Sequence, residues 1–260
     1  MPAVFPAIIW GLVQGITEFL PISSSGHLVI IPAYLEKFGV DITPPSLAVS
    51  AVLHLGTLAA VLIYFRTDVM RVLRFRTDPE GRKIALLVAV GTIPAIIGLP
   101  LKDSLDTFQE TVSNIGWTLM ATGVILIIGQ RLATGVRQLV DGRVPDAILV
   151  GVAQAFALIP GISRSGITIS TGNGRKFEPI QAARFSFLLG IPVIAAGGIF
   201  SLPELIESGE FGLELIVGML VAAVSGYLAI AFLLAVLKRV GLMPFAIYCL
   251  AVGLLTVILF

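Results

Sequence analysis

Gln14-Gly-Ile-Thr-Glu18-Phe-Leu-Pro-Ile-Ser23-Ser-Ser-Gly-His27 is a polar stretch with strongly apolar sequence on both sides. It combines an amide, a carboxylate, three consecutive hydroxyls and an imidazole. A second polar stretch, residues 160–168, reads Pro-Gly-Ile-Ser-Arg-Ser-Gly-Ile-Thr. Ionisable groups are costly within a membrane, so their presence there points to function. We expect the two stretches to form the halves of one site.

The composition indicates an all-α polytopic membrane protein with one integral membrane domain, residues 1–260. Of the 260 residues, 57% are hydrophobic and 13% are charged, against about a quarter charged in soluble domains. Residues 1–6 carry no basic segment, so we expect no cleaved signal peptide. The single cysteine, Cys249, excludes an internal disulfide and a Cys-based metal site. A net charge of +1 gives no reason to expect a nucleic-acid partner.

A helix needs about 20 mostly apolar residues to cross a bilayer, and six segments roughly reach that length. They are Ser46–Phe65, Ile84–Leu101, Val112–Gln130, Ala182–Phe200, Leu213–Leu237 and Phe245–Phe260.

The polar breaks between these segments differ in charge, and basic breaks are expected at the cytoplasmic side. Residues 66–83 hold six Arg or Lys against three acids, and residues 131–146 and 238–239 are also basic. Residues 102–110 hold one Lys against three acids, and residues 201–214 hold four Glu and no base. This alternation leaves residues 1–45 beginning and ending outside, and residues 146–181 beginning and ending inside. Each of these two segments is therefore predicted to be a re-entrant helical hairpin.

Hairpins that enter from opposite faces are typical of an inverted-topology repeat. We place the first repeat at about residues 1–130 and the second at about 131–260. Four positions match at a constant offset of 140: Gly11, Gln14, Ser25 and Gly26 with Gly151, Gln154, Ser165 and Gly166. The alternative is a coincidence among residues that are common in membrane proteins.

The first stretch offers oxygen ligands for a hard cation. Glu18 follows Gln14 by four residues, so both side chains lie on one face of a helix. A carboxylate with an amide oxygen suits Mg²⁺ or Ca²⁺, which also bind substrate phosphate. Alternatively, Glu18 is a buried carboxylate satisfied by backbone groups, and Gln14 serves as an interhelical hydrogen-bonding residue.

Ser23, Ser24 and Ser25 precede an apolar run, so one of them is expected to cap the helix beginning near His27. A helix N-terminus also attracts anions. His27 is a candidate acid, base or nucleophile, against the alternative of a satisfied core residue. His54, the other histidine, is equally well interpreted as a cavity-lining residue or as packing.

In the second stretch, Arg164 offers a planar fork of donors that suits phosphate. Neighbouring hydroxyls add further donors. The alternative interpretation is a buried salt bridge between Arg164 and Glu18. The hydroxyl residues of this stretch are Ser163, Ser165 and Thr168.

Residues 18–27 and 160–168 resemble the two signature motifs of the bacitracin-resistance type undecaprenyl-diphosphate phosphatases. Residues 185–192 and 244–248 also resemble that family, so the similarity covers nearly the whole chain. It implies an interdigitated inverted-repeat membrane enzyme whose site opens to the outer face of the plasma membrane. The implied reaction converts a C55 isoprenyl diphosphate to the monophosphate and orthophosphate with a divalent cation. That reaction recycles the lipid carrier for cell-wall polymers and confers bacitracin resistance.

By motif, the resemblance implies that Glu18 is an acidic metal or catalytic residue, and that Ser24 and His27 are the candidate nucleophiles or acid–base groups. It implies diphosphate binding by Arg164 and the three hydroxyl residues of its stretch, and we add Ser23, Ser25 and His54 as candidate substrate-binding residues. Gln14, a second candidate metal ligand, stands where glutamate is common in the family. Membrane lipids are expected partners, and a homodimer is compatible with the sequence.

Two rival functions are considered. A flippase or transporter for the polyprenyl phosphate carrier would also use opposed hairpins. A second membrane phosphatase family with Ser-Gly-His and Ser-Arg elements requires a later histidine, and no histidine follows His54. That second family is therefore excluded.

Overall fold

The fold is seen in a computed structural model that describes residues 4–40, 42, 44–98, 100, 111–207 and 212–260. The first half contains helices α1 (Val4–Phe19), α2 (Ser24–Lys37), α3 (Leu47–Tyr64), α4 (Arg66–Leu73), α5 (Pro79–Gly98) and α6 (Val112–Arg131). The second half contains α7 (Val144–Phe156), α8 (Arg164–Gly174), α9 (Pro179–Glu207), α10 (Leu213–Arg239) and α11 (Met243–Leu259). The predicted all-α membrane class is confirmed.

Within the residues that the structure describes, four helices are long and apolar enough to cross a membrane, namely α5, α6, α9 and α10. Helices α3 and α4 meet at 85° and make a fifth if they are counted as one span. Helix α11, the last predicted span, has 17 residues. Each predicted span corresponds to a helix, while the acidic segment 102–110 and residues 208–211 lie outside the described residues.

The two predicted hairpins are helix pairs with a break between them. Helices α1, α2, α7 and α8 have 16, 14, 13 and 11 residues, each short of a full crossing. Positive φ angles occur at both breaks, 71° at Ser23 and 89° at Gly161. Ser23 caps α2 by accepting from the Gly26 N–H at 3.3 Å, which confirms the predicted cap. Ser163 caps α8 in the same way.

The two halves pack in matching ways. Helix α1 lies against α10, and α7 lies against α5. A Cβ on Gly11 would overlap the backbone of Gly218, and a Cβ on Gly151 would overlap the backbone of Gly91. The glycines at matched positions 11 and 151 therefore allow the first helix of each half to approach a helix of the other half equally closely. The inverted orientation of the repeat stays a prediction.

Packing also fixes the two hairpins on the rest of the fold. Phe19, fully buried at the end of α1, meets Phe187 of α9 edge to face, with ring centroids 5.4 Å apart. Asp146, at the start of α7, accepts from Arg137 at 2.8 Å and from Arg175, at the end of α8, at 2.7 Å. Burial raises the pKa of Asp146, but these charged donors outweigh it and hold that pKa below its usual value. The ends of the second hairpin are thereby tied together.

Candidate active site

The two polar stretches meet in the structure. Arg164, the first residue of α8, donates from Nη2 to Glu18 Oε1 at 2.9 Å. Its Nη1 donates to the Ser186 carbonyl of α9 at 3.2 Å. A Cβ on Gly190, one turn along α9, would overlap the guanidinium. The absence of a side chain at Gly190 therefore gives Arg164 the space to reach Glu18.

Glu18 is a buried carboxylate with polar contacts at both oxygens. Its Oε2 accepts from Ser24 Oγ at 2.7 Å and from Gln14 Nε2 at 3.0 Å. His54 Nε2 lies 3.3 Å from the same oxygen. The salt bridge between Arg164 and Glu18, the alternative to phosphate binding by Arg164, is present. Both groups face one cavity, so an anion that enters can compete with Glu18 for the guanidinium.

The cavity has a volume of about 240 Å³. Its polar side contains seven of the predicted site residues: Glu18, Ser23, Ser24, Ser25, His54, Ser163 and Arg164. Its apolar side is formed largely by α3, α9 and the second break, with Ala51, Ala157, Ile162, Val193, Ile194, Gly197 and Gly198. A cavity with one polar and one apolar side suits an amphipathic ligand whose head is anionic.

Four predicted site residues do not line this cavity: Gln14, His27, Ser165 and Thr168. Ser165 Oγ donates to the Leu20 carbonyl at 3.2 Å and so joins the two breaks. Thr168 Oγ1 donates to the Arg164 carbonyl at 2.7 Å and bonds to Ser186 Oγ at 2.7 Å. In this structure, Ser165 and Thr168 stabilise the site through hydrogen bonds outside the cavity.

His27 lies behind the first break, with both ring nitrogens engaged. Its Nδ1 lies 2.7 Å from the Ser23 carbonyl, and its Nε2 lies 2.8 Å from the Tyr248 hydroxyl. The ring is 3% exposed and stacks on Tyr248. This position supports the backbone of the serine segment. A direct chemical role for His27 stays a prediction.

Sequence reasoning missed three residues that shape the site. Tyr248 lies in segment 244–248, whose resemblance to the family was the available signal. In the structure, its hydroxyl contacts His27. Thr122 of α6 donates to the Gly161 carbonyl at 3.0 Å and accepts from the Ser163 N–H at 3.1 Å, which fixes the second break. No sequence pattern around Gly190 predicts its role, because that role depends on the Arg164 guanidinium that packs against it.

The donor set is suited to a divalent cation only together with phosphate oxygens. Within the described ranges, no group of three or more His, Cys, Asp or Glu side chains could hold an ion. Glu18 supplies one carboxylate to the cavity, and Mg²⁺ is often bound by one or two carboxylates plus substrate phosphates. Gln14 turns its amide nitrogen toward Glu18, while its Oε1 is buried without a hydrogen-bond partner. In this arrangement Gln14 orients Glu18.

The fold and the cavity together define an integral membrane protein with a polar cavity, in which a carboxylate, hydroxyls and a guanidinium converge. The chain belongs to the family described as bacitracin resistance protein BacA, whose family model matches residues 7–255.

Relatives extend over nearly the full length of the chain. An undecaprenyl-diphosphatase of Myxococcus xanthus is 42% identical over 269 residues, covering 99% of this chain and 89% of that protein. Undecaprenyl-diphosphatases of Halothermothrix orenii and Desulforudis audaxviator are each 40% identical over 260 residues. Those alignments cover 98% of this chain in both cases, and 98% and 97% of the two relatives.

Proposed function

We propose that this protein is an undecaprenyl-diphosphatase, a membrane enzyme that hydrolyses undecaprenyl diphosphate to undecaprenyl phosphate and orthophosphate. The contact of Ser24, Glu18 and Arg164 in one cavity carries the proposal. Ser24 and Arg164 each hydrogen-bond to Glu18, an arrangement that suits a hydroxyl nucleophile, its base and a phosphate-binding cation. The names of the full-length relatives support the same substrate.

The diphosphate is held by the start of two helices as well as by Arg164. Helix α2 begins at Ser24 and α8 begins at Arg164, and both residues line the cavity. Free N–H groups and the helix dipole favour an anion at such positions. Arg164 and the hydroxyls of Ser23, Ser25 and Ser163 surround the phosphate oxygens, and His54 completes the polar side.

Ser24 is the nucleophile in this mechanism. Its Oγ already donates to Glu18 Oε2, so Glu18 takes the proton as Oγ attacks the terminal phosphorus. A phosphoserine bond forms, the bond from that phosphorus to the bridging oxygen breaks, and undecaprenyl phosphate leaves. Water then attacks the phosphorus of the phosphoserine, and the bond from that phosphorus to Ser24 Oγ breaks. Orthophosphate departs with both protons of the water, and the proton on Glu18 returns to Ser24 Oγ. Catalysis depends mainly on positioning and on charge stabilisation by Arg164.

A divalent cation, Mg²⁺ or Ca²⁺, is part of the proposal. Glu18 would hold it jointly with phosphate oxygens, and the bound ion would offset the negative charge of the diphosphate. Gln14 would keep the Glu18 carboxylate in position. His27 remains the alternative nucleophile or acid–base group, reached only if its contact with Tyr248 opens.

The enzyme would act in the plasma membrane, with its site open to the outer face, where it would recycle the lipid carrier for cell-wall polymers. The acidic breaks predicted at that face and the cavity walls on α3 and α9 support this orientation. Membrane lipids surround the protein, and a homodimer is compatible with this arrangement.

Phosphate release by purified protein in detergent tests the proposal. The purified protein should convert undecaprenyl diphosphate to equal amounts of orthophosphate and undecaprenyl phosphate. A flippase for the lipid carrier needs two leaflets and would release no phosphate in detergent. The absence of release at any divalent-cation concentration would overturn the proposed function.

A further inference from the structure

The apolar side of the cavity continues along one face of α9. Val193, Ile194 and Gly197 lie three, four and seven residues after Gly190, so all four share a face of the helix. Gly190 lies under the Arg164 guanidinium, and Gly197 lies about 10 Å further along the helix axis. The face therefore leads from the phosphate-binding end of the cavity to its mouth.

Two adjacent glycines at that mouth have different surroundings. A Cβ on Gly198 would overlap the Leu55 side chain and approach the Ala51 carbonyl at 3.1 Å, so Gly198 lets α9 pack closely on α3. A Cβ on Gly197 would meet nothing within 4 Å. Glycine inside a helix is destabilising relative to alanine, and close packing does not explain it here. Gly197 is exposed, lines the cavity and borders open space at the cavity mouth.

We propose that the isoprenoid segment next to the diphosphate lies along this face of α9 and leaves the cavity over Gly197 into the bilayer. The inference rests on the proposed function, because the head bound at Arg164 is covalently attached to an apolar tail. That tail needs an apolar route, and Val193 and Ile194 provide one beside the polar break residues. Just beyond the mouth, Phe200 is 82% exposed, as expected for a surface in contact with lipid.

A second apolar route exists and must be distinguished from the first. A groove of about 490 Å³ lies between α1, α2 and α11, with Leu12, Ile16 and Tyr248 among its lining residues. It shares Thr17 with the cavity but contains neither Glu18 nor Arg164. The route along α9 is favoured because its apolar residues and the phosphate-binding residues line one continuous space.

The test compares Gly197→Leu and Gly197→Trp with Ile199→Trp, a control on the same helix outside the cavity, and with Leu12→Trp in the second groove. Each purified variant is assayed for KM and kcat with undecaprenyl diphosphate, and its melting temperature reports folding. Both Gly197 variants should raise KM by about tenfold or more with kcat retained, since a side chain there removes apolar contact with the tail. The Leu variant serves if the Trp variant does not fold.

The Ile199 and Leu12 variants should keep the wild-type KM. An unchanged KM in a folded Gly197 variant, a loss confined to kcat, or a KM increase in Leu12→Trp alone would each overturn the proposed route. Failure of the proposed function has a different signature, because the wild-type protein would then release no phosphate.

Discussion

Arg164 Nη2 lies 2.9 Å from Glu18 Oε1, although the two residues are 146 positions apart in the chain. Each stands at a break between two short helices, and the breaks touch: a Cβ on Gly26 would lie 3.3 Å from Gly161 Cα. Burial of Arg164 and Glu18 is tolerated because their opposite charges are paired. The ion pair joins the two hairpins, and we expect it to open when a phosphate group competes for the guanidinium.

Ser24 and Ser25 offer a matched test of the nucleophile. Ser24→Ala should lower kcat by at least about 10³-fold, because the attacking oxygen is lost. Ser25→Ala should lower it far less, since Ser25 Oγ lies 3.3 Å from Ser23 Oγ and has no contact with Glu18. Quenched reactions analysed by mass spectrometry should locate the trapped phosphate on Ser24. Phosphate found on His27 would instead assign the nucleophile to the imidazole.

Gly190→Ala should impair catalysis although Gly190 carries no reactive group. The added methyl would overlap the guanidinium and displace Arg164 from Glu18. We expect kcat/KM to fall by about 10²-fold or more, comparable to the loss of a transition-state hydrogen-bond donor. Gly174→Ala is the control, because its Cβ would meet Leu132 at an ordinary 3.4 Å. Wild-type activity in Gly190→Ala would show that Arg164 does not need its observed position.

Glu18→Gln should weaken the dependence on divalent cations. The substitution keeps the shape of the side chain but removes the charge that a hard cation requires. The concentration of Mg²⁺ or Ca²⁺ that gives half-maximal phosphate release should rise, and kcat should fall because the base is also lost. Gln14→Ala is the comparison, with a smaller shift expected from lost orientation of Glu18. A metal titration identical to that of the wild type would exclude Glu18 as a metal ligand.

Asp146→Asn should reduce stability in a pH-dependent way. The folded-state pKa of Asp146 lies below its usual value, so its contribution is complete above the ordinary carboxyl pKa of about 3.9. That contribution is lost as the pH falls through the lower folded-state pKa. At pH 7 we expect a loss of about 1.5–3 kcal/mol, from hydrogen bonds to charged groups. Melting temperatures of variant and wild type should converge on acidification, and Asp141→Asn, at an exposed position shortly before α7, should change little.

Much of this architecture follows from local sequence. Apolar runs predicted the helices, and the prolines and glycines of residues 21–26 and 160–161 predicted both breaks. The positions offset by 140 predicted glycines with equivalent packing roles, which Gly11 and Gly151 have. These features depend on hydrophobicity and backbone preference, which nearby residues determine.

The rest depends on contacts between distant helices. No local pattern specifies that Tyr248 meets His27 or that Arg184 pairs with Asp68. For the same reason Thr168, which reads as a phosphate ligand in its motif, is directed to the Arg164 carbonyl and Ser186. Hydroxyls near a functional arginine can bind substrate or hold the arginine, and only the packing of α9 distinguishes the two roles.

The central claim is that Glu18 and Arg164, one from each hairpin, act as a single catalytic unit. A double-mutant cycle on kcat/KM with Glu18→Gln, Arg164→Gln and the double variant tests it most directly. Each single substitution should nearly abolish phosphate release from folded protein, and the double variant should be hardly worse than either. Two independent losses that multiply in the double variant would contradict the claim.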